Sequence, residues 1–158
     1  MKKSRSNFIA YAAMIAALYA ILTYFASLLG LASNAIQVRF SEALCILPIF
    51  TPAAIPGLTI GCFISNLISG CLVPDIIFGS VATFIGAFGT YLLRKNPFLA
   101  LLPPIVSNTV IIPFVLMYAY GIRPIWFSFI TVCIGEIISC GVLGIFLYSV
   151  LKRYRNLI

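Results

Sequence analysis

Acidic residues are scarce in this 158-residue chain, which has only Glu42, Asp75 and Glu136, and histidine is missing altogether. Without histidine there is no Ser-His-Asp arrangement and no His-containing zinc set, and no GxxxxGK[ST] loop is present to hold a nucleotide. The five cysteines, Cys45, Cys62, Cys71, Cys133 and Cys140, form no CxxC pair. Their spacing therefore gives neither a zinc knuckle nor a redox motif, and they read as small buried apolar residues. With chemistry restricted to carboxylates, a membrane enzyme is the weakest reading, and neither cofactor nor metal is expected.

What the chain has in abundance is apolar surface. Hydrophobic residues make up 63% and charged residues 8%, against roughly half and about a quarter in soluble domains, so the chain reads as one integral membrane domain. Its net charge of +7 does not describe a nucleic-acid face. Eight of the ten basic residues fall in three clusters: Lys2, Lys3 and Arg5; Arg94 and Lys95; Lys152, Arg153 and Arg155. Clusters of this kind beside apolar runs are orientation signals.

The first apolar run, Phe8 to Leu31, follows basic residues as a secretory signal would. It exceeds the roughly 7–15 residues of a signal core, however, and reads as a retained helix. The pattern predicts an all-α membrane protein, a bundle of six transmembrane helices at about 8–31, 41–50, 53–71, 75–93, 98–120 and 125–151. The second is expected to be short and irregular, because Pro48, Pro52 and Pro56 each remove a backbone donor. With six crossings, eight basic charges collect on the side of the termini and only Arg39 and Arg123 on the other. Both termini are thus expected in the cytoplasm of a bacterial-type cell, with Tyr118, Tyr120 and Trp126 at the outer interface.

Polar side chains inside such a bundle need a reason. Glu136 falls near mid-membrane in the sixth segment, where a carboxylate costs about 2.5–3.5 kcal/mol on insertion scales. Asn108 in the antiparallel fifth segment falls at nearly the same depth, so the two are candidates to face one cavity. Asn66, Arg39, Glu42 and Asp75 gather toward the outer mouth. Together the six suit one polar funnel that opens outward. Plainer readings stand beside this one: interhelical hydrogen bonds for Glu136, Asn66 and Asn108, a helix cap for Asp75, and an interfacial ion pair for Arg39 with Glu42. On the first segment, Ala12, Ala16 and Ala20 recur every four residues, with Ala13 and Ala17 beside them, a smooth stripe suited to close helix association.

The run IQVRFSEALCILPIFTPAAIPGLTIGCFISNLISG, residues 36–70, closely resembles the QueT-type family of queuosine-precursor transporters. So do PDIIFGSVAT from Pro74, LPPIVSNTVI from Leu102, and the Gly135–Glu136 pair. The resemblance implies a substrate-binding S component of an energy-coupling-factor (ECF) transporter. Such a subunit binds a scarce nutrient from outside, then docks on a membrane scaffold subunit driven by two cytoplasmic ATPases. It implies a deazaguanine base as ligand and docking through Ala12, Ala16 and Ala20. A guanine-like edge presents adjacent N–H donors that Glu136 would accept, and a carbonyl that Asn108, Asn66 or Arg39 would satisfy. Glu42 or Asp75 would face an aminomethyl cation on a ligand that carries one. An S component for another vitamin, and a stand-alone secondary transporter with Glu136 as proton carrier, are the alternatives.

Overall fold

The computed structural model describes residues 5–30 and 39–153; the basic residues Lys2, Lys3 and Arg155 and the polar stretch Ser33, Asn34, Gln37 lie outside them. The elements in chain order are α1 (Arg5–Leu28), a 3-10 helix (Phe40–Ile49), α2 (Ala54–Ile68), α3 (Val73–Leu92), a single turn α4 (Pro97–Ala100), α5 (Leu102–Tyr120), α6 (Ile125–Glu136), a π-helical segment (Ile137–Leu143) and α7 (Gly144–Arg153). Among the described residues every regular element is helical.

Four stretches are long and apolar enough to cross a bilayer: Arg5–Leu28, Val73–Leu92, Pro97–Tyr120 and Ile125–Arg153. The 3-10 helix and α2, with 10 and 15 residues, cover only about 20 Å each, less than the roughly 30 Å hydrocarbon layer. The irregularity expected of the second segment is thus a 3-10 geometry held over its whole length, with Pro48 inside it. The sixth segment departs from expectation: it runs as one helix from α6 to α7 but widens into a π turn directly after Glu136.

Contacts fix the direction of each element. Tyr19 meets Glu42, and Thr23 Oγ1 donates to Ser41 Oγ at 2.8 Å, so the 3-10 helix runs back along α1. α2 runs parallel to α1, because Gly57 lies against Ala12 and Gly61 against Ala16. α3 returns beside α2 through Asn66 and Asp75; α5 is antiparallel to α3 through Ser107 on the Ala82 carbonyl at 2.9 Å; and Phe114 against Phe129 orients α6 against α5. Arg5, Arg94, Lys95, Lys152 and Arg153 therefore share one end of the bundle, and Arg39 and Arg123 lie toward the other.

The bundle is apolar outside and small or polar inside. Large side chains such as Ile9, Met14, Phe63, Phe84, Phe98 and Phe146 are exposed on its perimeter, while Ser41, Glu42, Ser65, Asn66, Thr83, Thr90, Asn108 and Ser139 are buried. Lipid removes the hydrophobic incentive for helices to associate, so close backbone approach must supply it. At Gly57 and Gly61 an added Cβ would lie 2.8 Å from the Ala12 carbonyl oxygen and 2.7 Å from Tyr19 Cβ; at Gly86 it would lie 2.7 Å from Pro104 Cα.

This packing changes the reading of the alanine stripe. Ala16 is 7% exposed and covered by α2, with Ala12 and Ala20 half-buried along the same seam. The stripe drawn through Ala12, Ala16 and Ala20 is centred on an internal contact, and Ala13 and Ala17, one residue further on, are the alanines that face outward. An Ala-x-x-x-Ala spacing cannot by itself tell which of two adjacent registers looks inward.

Candidate ligand-binding site

The short 3-10 helix and the π segment lie side by side at the bundle's centre. Arg39 N–H donates to Ser139 Oγ at 3.2 Å, and Cys140 Sγ lies 3.3 Å from the Glu42 carbonyl oxygen. π turns re-aim side chains and recur at functional sites. Here Glu136, Ser139 and Cys140 turn toward the interior, with Ser139 and Cys140 at 1% and 0% exposure.

Two neighbouring cavities result. The inner one, about 30 Å³, is lined by Arg39, Glu42, Cys62, Gly79, Thr83, Asn108, Ile112, Val132, Glu136 and Ser139. The outer one, about 520 Å³, lies toward the Arg39 end and is lined by Thr23, Tyr24, Ser27, Arg39, Asn66, Asp75, Ile112, Leu116 and Tyr120, among others. Arg39 and Ile112 belong to both walls. All six polar residues singled out in the sequence therefore line one or both cavities: Glu136, Asn108 and Glu42 the inner, Asn66 and Asp75 the outer, and Arg39 the passage between.

In the inner cavity each of four carboxylate oxygens has a donor. Tyr19 OH donates to Glu42 Oε1 and Cys45 Sγ to Glu42 Oε2 at 3.1 Å. Asn108 Nδ2 donates to Glu136 Oε1 at 2.9 Å, and Cys140 Sγ to Glu136 Oε2 at 3.3 Å. Asn108 and Glu136, placed at one depth by residue counting, thus touch. Two of these donors are thiols, the weakest in the protein inventory. Glu42 Oε2 and Glu136 Oε2 are consequently the oxygens that exchange a partner most cheaply for an incoming N–H.

The outer cavity is organised by Asp75. Its Oδ2 accepts from Tyr120 OH at 3.1 Å, and the same hydroxyl accepts the Leu72 N–H at 3.2 Å. Asn66 Nδ2 donates to the Asp75 carbonyl oxygen at 3.4 Å. Asp75 belongs to the first turn of α3, and its carboxylate holds Tyr120 at the end of α5. Gly79 stands between the two sites: a Cβ there would lie 3.0 Å from Asn66 Nδ2 and 3.7 Å from Asp75 Oδ1.

Tyr19, Tyr120, Cys45 and Cys140 were not singled out in the sequence for this site. Cys140 was within reach, since it follows Glu136 by one helical turn. Tyr19 carried a fainter signal, as a large hydroxyl-bearing residue among the alanines of α1.

The sizes bear on what the cavities can take. About 30 Å³ accommodates one or two waters, whereas about 520 Å³ falls within the range of small-molecule sites. A bicyclic ring would have to lie in the outer cavity and reach the inner carboxylates with one edge, past Arg39 and Ile112.

The protein-family comparison matches residues 9–153 to the QueT transporter family. Among curated proteins, the Queuosine precursor transporter QueT of Lactococcus lactis subsp. cremoris (strain MG1363) is 41% identical over 85 residues, 54% of this chain and 50% of that protein. The match thus spans about half the length of that relative. No solved structure matches.

Proposed function

Because the chain belongs to the QueT transporter family, we propose that it is the substrate-binding membrane subunit for a queuosine precursor, a deazaguanine base. The observation that carries this reading is the pair of carboxylates, Glu42 and Glu136, held at the floor of an outward-widening cavity with two oxygens on thiol donors. The ring occupies the outer cavity against Tyr24, Ile112 and Leu116, and its donor edge replaces the Cys140 thiol on Glu136. Asn108, already fixed on Glu136, presents its amide beside that edge, and Arg39 meets the ring carbonyl. Asp75 faces an aminomethyl cation on a ligand that carries one. Native mass spectrometry of the detergent-purified chain tests the assignment. A co-purified or added deazaguanine base bound one to one is expected, and retention of a flavin or thiamine instead would sink it.

The end bearing Arg5, Arg94, Lys95, Lys152 and Arg153 is the cytoplasmic one, with both termini, by the excess of basic residues there. The scaffold subunit and two ATPases of an ECF transporter supply the energy, and the cell membrane is the location. Docking through α1 runs along Ala13 and Ala17, the outward register, rather than through Ala16. Ala17→Trp is expected to leave ligand affinity unchanged while abolishing uptake and co-purification with the scaffold. Ala16→Trp is expected to overpack the α1–α2 seam and cost folding itself, by about 3 kcal/mol or more. Uptake that persists in cells lacking the ATPases would replace this coupling with a stand-alone transporter.

A further inference from the structure

Cys45, on the 3-10 helix, and Cys140, on the π segment, are 95 positions apart in sequence, so no spacing rule pairs them. In the fold their sulfurs and a Glu42 carboxylate oxygen all lie within 4.8 Å of one another. All three residues are buried, at 0%, 0% and 3% exposure. Two thiols and a carboxylate converging in the protein interior are a donor set for a borderline-soft divalent cation. The surroundings fit as well. Tyr19 OH already holds the other Glu42 oxygen, the outer-shell bond that orients a ligating carboxylate. Arg39 lines the neighbouring cavity, which joins the set to the wide outer basin.

We infer that the crossing of the 3-10 helix and the π segment is a binding site for a thiophilic divalent cation of the zinc class, with Cys45, Cys140 and Glu42 as its protein ligands. Binding forms two metal–sulfur bonds and one metal–oxygen bond, and the two thiol protons leave as the cation arrives. Two thiolates and the Glu42 carboxylate carry three negative charges against two on the cation, and the Arg39 that lines the adjoining cavity offsets part of the excess. Loss of the Cys140 proton removes the donor from Glu136 Oε2, and a water in the cation's fourth position takes that place. The cation's water and the deazaguanine edge would then compete for Glu136 Oε2, although the cation site stands on its own geometry and not on the identity of that ligand.

The experiment uses the full chain, purified in detergent with its thiols reduced and freed of metal by chelation. Zinc titration is expected to reach one ion per chain. Zinc-edge X-ray absorption should then show two sulfur neighbours at about 2.3 Å and oxygen at about 2.0–2.2 Å. Cobalt in place of zinc should give a sulfur-to-metal charge-transfer band that Cys45→Ser and Cys140→Ser each diminish and that Cys133→Ser, on α6 outside the cluster, leaves alone. Should the serine variants fail to fold, the parent chain decides: zinc should protect two thiols from maleimide under conditions where chelator exposes them. Substoichiometric zinc, a shell without sulfur, or thiols that zinc does not protect would each overturn the site. Loss of deazaguanine binding with zinc binding intact would overturn the proposed function and leave this inference standing.

Discussion

The inner and outer cavities are both built around carboxylates, yet they hold them in opposite ways. Glu42 comes from the 3-10 helix and Glu136 from the last residue of α6, where the π segment begins; both line the small inner cavity and rest partly on thiols. Asp75 comes from the first turn of a regular helix, opens onto about 520 Å³, and is held by a tyrosine that also caps the Leu72 N–H. A weak partner makes a carboxylate ready to exchange it, and enclosure makes each new bond count for more, since less water competes. Under the proposed function, the inner carboxylates would set affinity and identity, and the outer one would capture and admit the ligand.

The largest effect should come from the inner side. Glu136→Gln keeps the shape and the Asn108 contact but puts an amide donor where the ligand edge also donates. Deazaguanine binding is expected to weaken by about 2 kcal/mol or more, roughly thirtyfold, with no change in the yield of folded protein. Calorimetry on the purified variant checks this. Unchanged affinity would place recognition in the outer cavity and reverse the comparison.

The junction comes next. Gly79→Ala adds a methyl group 3.0 Å from Asn66 Nδ2, tighter than ordinary contact, so the amide must give way at the passage between the cavities. The expected result is an affinity loss of about 1 kcal/mol, carried mainly by a slower association rate, which stopped-flow quenching of a tyrosine or Trp126 signal would measure. An effect confined to dissociation would mean that Gly79 touches bound ligand rather than the route to it.

How much of this was legible in the sequence differs between the two regions for a physical reason. Each of the six polar residues stands out because an ionised or amide group inside an apolar segment is costly, whatever the fold. Depth counting along regular helices brought Asn108 level with Glu136. Cys45 and Cys140 lie one turn from Glu42 and Glu136 and were within reach of counting, but Tyr19 on Glu42 and Cys140 beside the Glu42 carbonyl meet only where α1, the 3-10 helix and the π segment come together, and the last two break the 3.6-residue period on which such counting rests. Prolines announced the first irregularity; nothing in GEIISCGVLG announced the second. The alanine stripe was ambiguous for another reason: both registers of α1 carry alanines, and only Gly57 and Gly61 on α2 decide which one is covered within this chain.

The smallest effect is expected at the outer carboxylate, and it tests the division of labour most finely. Tyr120→Phe removes one hydroxyl, which accepts from Leu72 N–H and donates to Asp75 Oδ2. Tyr120 is 41% exposed, so water replaces both bonds, and stability should change by less than about 0.5 kcal/mol. Asp75 Oδ2 then rests on an exchangeable water in place of a fixed hydroxyl, which an incoming amine displaces more readily. A ligand carrying an amine arm should therefore bind slightly tighter, by about two- to threefold, and a neutral analogue with the same ring should bind as before. The opposite pattern, both ligands weakened equally, would mean that the tyrosine contacts the ring itself and that the outer cavity shares in recognition. Paired titrations of the two ligands on Tyr120→Phe and on Asp75→Asn separate the cases, because Asp75→Asn should lose the preference for the amine that Tyr120→Phe enhances.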